Sequence, residues 1–287
     1  MHSSRSGICT NRASGFDIST HTLAFAKLPV ELKGARLVQI SDLHRRSDHP
    51  DDLIAAAVAE VNALDADFVV ITGDFVDGPA RDIIPVVRIV AGLRARRGVF
   101  ATLGNHDHRG DPGELTQRLE QAGITVLTNR SMRLSPGFWL AGVDDLFEGK
   151  PDLSGALSCV PMGEPAILLS HDPSVLDRLA PDRELVVLSG HTHGGQMVLP
   201  FLPPRLVCRF HLGTEYVHGW FHLGRVRMYV NRGIGVTGSR LFARRINCPP
   251  EIACFTLTCI PAEGVVDSVE RTSYGAELSA RIARITE

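Results

Sequence analysis

The stretch Leu185-Val-Val-Leu-Ser-Gly-His-Thr-His-Gly-Gly-Gln196 decides how the chain is read. Its Val/Leu run predicts a buried strand, closed by the polar Ser189-Gly190 and followed by His191 and His193. In an extended segment, residues two apart point the same way. Two imidazoles would then be aimed together at the C-terminal end of a buried strand, where open α/β sheets place their ligand sites. Two surface histidines before a Gly-rich turn would give the same local pattern, so the other strand ends decide between them.

Four further apolar runs end in residues of the same chemistry. Residues 35–41 lead into Asp42-Leu-His44, 67–72 into Gly73-Asp74-Phe-Val-Asp77, 98–103 into Gly104-Asn105-His106-Asp107, and 166–170 into His171-Asp172-Pro173. Between them, the Ala-rich 51–64, with acidic residues at its start, and the amphipathic 81–97, with Pro85 near its first turn, predict helices. Strand, polar cluster and helix recurring in this order predict βαβ units and a largely parallel sheet. A hairpin over 132–143 makes the sheet system mixed. Short helices are expected over 112–123 and 175–179, an edge strand or hairpin over 16–25, and late strands over 226–231 and 252–258. The Pro-containing, aromatic-rich 197–223 predicts an irregular excursion. With no repeat and no Gly/Ser linker, the expected organisation is a disordered lead-in over 1–16, one domain over 17–260, and a helix or tail over 261–287.

Composition narrows the function. A net charge of -2 and a sequence pI near 6.6 over 287 residues give no electrostatic reason to expect nucleic acid. The 6 cysteines are scattered without a CxxC pair, which predicts free thiols in a reducing compartment. Residues 1–16 lack the apolar core of a signal peptide, and no window has the length of a membrane span. A soluble, cytoplasmic protein is expected, with room for a peripheral membrane contact and no protein partner inferred.

Carboxylate, amide and imidazole groups are expensive to gather at a sheet edge unless something compensates them. A pair of divalent cations does so, clamping a phosphate and lowering the pKa of a bound water for in-line attack by metal-bound hydroxide. Ligands without thiolate favour Mn, Fe, Zn or Mg, with Mn preferred, over a structural zinc centre. DxH or HxH alone is weak, but five such clusters, each after an apolar run, are highly specific.

Together these residues resemble the calcineurin-like metallophosphoesterases, whose DxH, GDxxD, GNHD/E, H and GHxH pattern is matched at Asp42, Gly73, Gly104, His171 and Gly190. The similarity extends to Gly194-Gly195-Gln196, to 229–235 and to 248–252, which look like a bacterial subgroup of membrane-associated phosphodiesterases, some acting on UDP-diacylglucosamine or similar lipid pyrophosphates. An N-terminal membrane anchor, frequent in that subgroup, is not evident in this sequence, and Arg45-Arg46 stand where a small or apolar residue is often found. The resemblance implies a four-layer αββα sandwich with mixed sheets. It implies one metal on Asp42, His44 and His193, a second on Asn105, His171 and His191, and Asp74 as the bridge. His106 would stabilise the transition state or act as general acid, with Asp107 orienting its ring, and Asp77 would orient a loop or a ligand. Arg45 and Arg232 are candidate phosphate-binding residues. The expected activity is hydrolysis of a phosphodiester or pyrophosphate. The alternatives are a nuclease or cyclic-nucleotide phosphodiesterase on the same centre, or a metal-stabilised binding protein without catalysis.

Overall fold

The computed structural model describes residues 8–9, 15–48, 51–238 and 243–260; the expected tail over 261–287 and most of the lead-in lie outside them. In chain order the strands are β1 (Ile8–Cys9), β2 (Asp17–Phe25), β3 (Arg36–Ile40), β4 (Phe68–Thr72), β5 (Val99–Thr102), β6 (Ile124–Val126) and β7 (Arg130–Ser135). They continue with β8 (Phe138–Gly142), β9 (Ala166–Leu169), β10 (Leu185–Ser189), β11 (Gly219–Leu223), β12 (Val226–Val230) and β13 (Glu251–Cys259). The helices are α1 (Asp52–Ala63), α2 (Ile83–Val90), α3 (Asn105–His108), α4 (Pro112–Gln121), α5 (Leu153–Leu157) and α6 (Pro204–Leu212).

The strands form two mixed sheets, ordered β1-β2-β13-β3-β4-β5-β6 and β11-β12-β10-β9-β8-β7. In the first, β3 to β6 run parallel and β13 is inserted antiparallel to β3. In the second, β8, β9, β10 and β12 are parallel, with antiparallel β7 and β11 at its edges. Strand alternation sorts the apolar residues into layers. Leu37, Phe68, Val70 and Phe100 face Leu140, Ile167, Leu169 and Val186 between the sheets. Val38, Val69 and Ile71 face the other way, against Ile54, Val61, Val86 and Leu119 of α1, α2 and α4. On the far side of the second sheet, Leu168, Val187 and Met228 are covered by Ala156 of α5 and by Val175 and Leu176 of a 3₁₀ turn. The order of layers is therefore αββα, as expected.

Some elements differ from the sequence reading. The helix expected over 81–97 stops at Val90. Asn62 of α1 donates to the Gly92 carbonyl and accepts from the Arg94 amide, at 2.8 and 2.7 Å, which holds that turn in place of another helical one. Residues 8 and 9, inside the expected lead-in, pair with Ser19 and Ile18. The excursion over 197–223 contains α6, begun by Pro203-Pro204, and β11, which pairs along β12 and closes the sheet edge.

Candidate metal centre

All five motif-bearing strands of the two sheets end on one side of the molecule, and their following loops meet there. The expected ligands are not on the strands. Asp42, His44, Asp74, His191 and His193 lie beyond them with φ between 45 and 73°, in the left-handed region. Such residues cost about 1–3 kcal/mol each, so five together are comparable to the whole net stability of a domain. They persist because the surrounding backbone fixes them. The Asp42 and His44 amides donate to the Gly73 and Asp74 carbonyls at 3.0 Å, and the Asp42 carboxylate accepts from the His191 amide at 3.0 and 3.1 Å. Two glycines are required for this closeness. A Cβ on Gly104 would fall on the Asp74 carboxylate, and one on Gly190 would fall on Ser41 and Asp42.

Two donor clusters result. In one, His44 Nε2 and His193 Nε2 are 2.9 Å apart, with Asp42 Oδ1 at 3.9 and 3.4 Å from them. In the other, Asn105 Oδ1, His171 Nε2 and His191 Nδ1 lie 3.1 to 3.2 Å from one another. Asp74 Oδ2 stands between the clusters, 3.3 Å from His44 Nε2 and 3.2 Å from His171 Nε2. Every expected metal ligand is thus brought into one of the two clusters or between them. Lone-pair donors converging at this spacing, with carboxylates from two strands buried among them, are the donor chemistry of divalent cations.

Burial and the neighbouring charges shift the site's titratable groups in opposite directions. Burial opposes a charge on His44, but the hydrogen bonds its ring donates to Asp74 and Asp77 outweigh it and raise its pKa to about 9. His171 is likewise raised, with burial outweighed by the Asp74 charge. Burial pushes His193 and His191 down, reinforced by the positive charges of His44 and His171 respectively. Each cluster therefore pairs one imidazole that favours a proton with one that resists it. Burial opposes the Asp74 charge, but His171 and His44 keep the carboxyl well below the usual range.

The structure also corrects residue roles. Asp107 does not touch the His106 ring; its carboxylate accepts from the Phe75, Val76 and Gly104 amides at 2.8, 3.2 and 2.9 Å, tying two ligand loops together. Burial and the Asp74 charge raise it to about 7. Asp77 is the residue on that ring, its Oδ1 lying 3.1 Å from both His106 Nδ1 and His44 Nδ1. A carboxylate on Nδ1 leaves the His106 Nε2 to face the cavity. Arg45 is bound to Asp51 and Asp82, and Arg232 to Asp17 and Glu251, so neither guanidinium turns into the cavity.

Arg232 belongs instead to a buttress. Glu251 accepts from Ser19 Oγ, Tyr229 Oη and the Arg232 amide at 2.6, 2.5 and 3.1 Å, while the Gly235 amide donates to the Asp42 carbonyl at 2.7 Å. That explains why 229–235 and 248–252 accompany the ligand motifs. The cation that reaches the cavity is Arg109, half-exposed, 3.5 Å from His106 Nε2 and loosely paired with Glu148 at 3.3 Å. Its sequence signal was only its place three residues after His106. The cavity, about 380 Å³, is lined by Asp74, Asn105, His106, Arg109, Phe147, His191, His193 and Leu212 among others.

The chain belongs to the calcineurin-like phosphoesterases, metal-dependent hydrolases of phosphate esters, and matches that family over residues 35–195. It is 34% identical over 251 residues to the metallophosphoesterase YkuE of Bacillus subtilis, covering 84% of this chain and 85% of that one. It is 28% identical to the phosphodiesterase YaeI of Escherichia coli, over 84% of this chain and 88% of that one. It is also 28% identical to the UDP-2,3-diacylglucosamine pyrophosphatase LpxG of Chlamydia muridarum, over 77 and 83% of the two chains. Other relatives are longer, and the chain spans 61% of one from Helicobacter pylori. No described helix is long and apolar enough to cross a membrane.

Proposed function

We propose that the chain hydrolyses a phosphodiester or pyrophosphate at a dinuclear centre. The observation that carries this is Asp74 Oδ2, equidistant within 0.1 Å from His44 Nε2 of one donor cluster and His171 Nε2 of the other, at 3.3 and 3.2 Å. A carboxylate so placed would be available to two ions. Asp42, His44 and His193 would hold one, and Asn105, His171 and His191 the other. Two divalent cations there would neutralise a phosphate and lower the pKa of a water, as in other two-metal hydrolases.

The chain's own residues supply the rest. Asp77 fixes the His106 ring through Nδ1, and His106 Nε2 donates its proton to the departing oxygen. Arg109 engages a non-bridging phosphate oxygen by leaving Glu148, to which it is held only loosely. Phe147, stacked at 6.4 Å from the His191 ring, flanks the leaving group. The names of YaeI and LpxG support a diester or pyrophosphate over a monoester.

The test has two parts. Metal analysis should find two ions per chain, with both metal and turnover lost in Asp74→Asn and in His191→Ala. Two ions in the wild type with unchanged turnover in either variant would refute the reading. Bis-nitrophenyl phosphate, a phosphomonoester, a cyclic nucleotide and a UDP-linked lipid, each assayed with Mn, Mg and Zn, then rank the substrate classes.

A further inference from the structure

Next to the cavity the surface changes character. Over residues 199–210, Leu199, Phe201, Leu202, Leu206 and Phe210 are all exposed, Phe201 completely and Phe210 by 78%. Phe201 occupies the tip of a turn closed by a bridge between Leu199 and Leu202, and has a φ of 68°. Bulky apolar residues gathered on one projection, rather than scattered singly, mark an interaction surface.

The base of this projection is fixed. Cys208 is the buried residue of α6, and Pro204 sits over Gly195, where a Cβ would come within 2.9 Å of the proline Cβ. The end of the helix reaches the site, since His211 and Leu212 line the cavity beside His191 and His193. Whatever this surface meets is therefore held next to the mouth of the centre.

The charges select the partner. Arg205 and Arg209 rise from the same helix and share a single carboxylate, Glu215, which is the one acidic residue in 197–223. Exposed Arg244 belongs to the neighbouring segment that pairs with Met197 and Val198 through Ile246. The projection is thus net positive on a chain of net charge -2. Its apolar groups are exposed on a turn and a short helix. A fluid interface, which needs no complementary shape, accepts aromatic and leucine side chains on such a projection while arginines remain at headgroup depth.

We infer that the turn at residues 199–202 and α6 form a docking surface for an anionic lipid bilayer, bringing the mouth of the metal centre to the headgroup layer. The inference concerns a surface and stands apart from the chemistry proposed above, which is read separately in the test.

The full chain would be sedimented with vesicles of equal parts phosphatidylglycerol and phosphatidylcholine, and with phosphatidylcholine alone. Binding to the anionic vesicles, weaker on the neutral ones and in high salt, is expected. Phe201→Ser with Phe210→Ser should weaken it by about tenfold or more, from the loss of two interfacial aromatic groups. Arg205→Gln with Arg209→Gln should abolish the preference for anionic lipid. Both variants should retain wild-type turnover of soluble bis-nitrophenyl phosphate, which shows that they are folded. No sedimentation with anionic vesicles, or equal sedimentation of the Phe variant, would overturn the inference. So would a concentration-dependent dimer in light scattering that the Phe variant loses, because the surface would then serve a second copy of the chain. Inactivity of the wild type towards every phosphoester would count against the proposed reaction and leave the vesicle result standing.

Discussion

The ligand loops and the projection at 197–212 lie side by side and are held by opposite means. In the loops, strained left-handed residues are fixed by amide hydrogen bonds, by Asp107 under three backbone amides, and by glycines that admit neighbouring carboxylates. In the projection, large apolar groups face outward from a helix with one buried residue and a shared ion pair. A preorganised site spends stability on geometry, whereas a surface meant for contact keeps its stabilising burial for the partner.

Breaking the first region should have the largest effect. Asp74→Asn removes the carboxylate proposed to be shared by two ions, and losing several kcal/mol of transition-state stabilisation corresponds to a fall in turnover of about a thousandfold. His106→Ala should lower turnover by about 10²–10⁴-fold with metal content unchanged, as expected for loss of a general acid; loss of metal would assign His106 to the ligand set. Gly104→Ala should destabilise the fold by about 1–3 kcal/mol through its clash with Asp74 and lower metal content with it, seen by calorimetry and metal analysis.

The metal-free site makes a prediction of opposite sign with pH. His44, raised to about 9 by carboxylates that outweigh its burial, contributes stability that is complete below about 6.5 and is lost as pH rises through 9. Ions must displace that proton, so their affinity should rise over the same range. The gap in melting temperature between metal-loaded and chelated protein should widen from pH 6.5 to 9; a constant gap would show that His44 carries no proton in the chelated protein. Smallest of all, Phe201→Ser with Phe210→Ser should change stability by no more than about 0.5 kcal/mol, since both side chains are exposed. A larger loss would show that the projection is packed after all.

Much of this was legible because strand ends are local. Apolar runs of four to eight residues, each broken by Asp, His, Asn or Gly, identify the strands and the residues that gather at their ends, and the motifs carry the resemblance that implies the αββα fold. Side-chain partners were not legible in the same way. Asp107 stands next to His106 in sequence yet turns to the backbone of 75 and 76, while Asp77, from another strand end, takes the ring. Arg45 and Arg232 flank ligands but face acidic residues far along the chain, leaving Arg109 at the cavity.

The stretch at 185–196 shows where the division falls. Its strand ends at Ser189, and the two histidines that follow are left-handed, so the alternation of an extended segment does not aim them. His191 turns its Nδ1 to Asn105 and His171, and His193 its Nε2 to His44. By itself the sequence determined which residues gather at the sheet ends, because period and punctuation are properties of neighbours along the chain. Only the tertiary structure decided which atoms meet, because each ligand's direction is set by backbone bonds to loops from other strands.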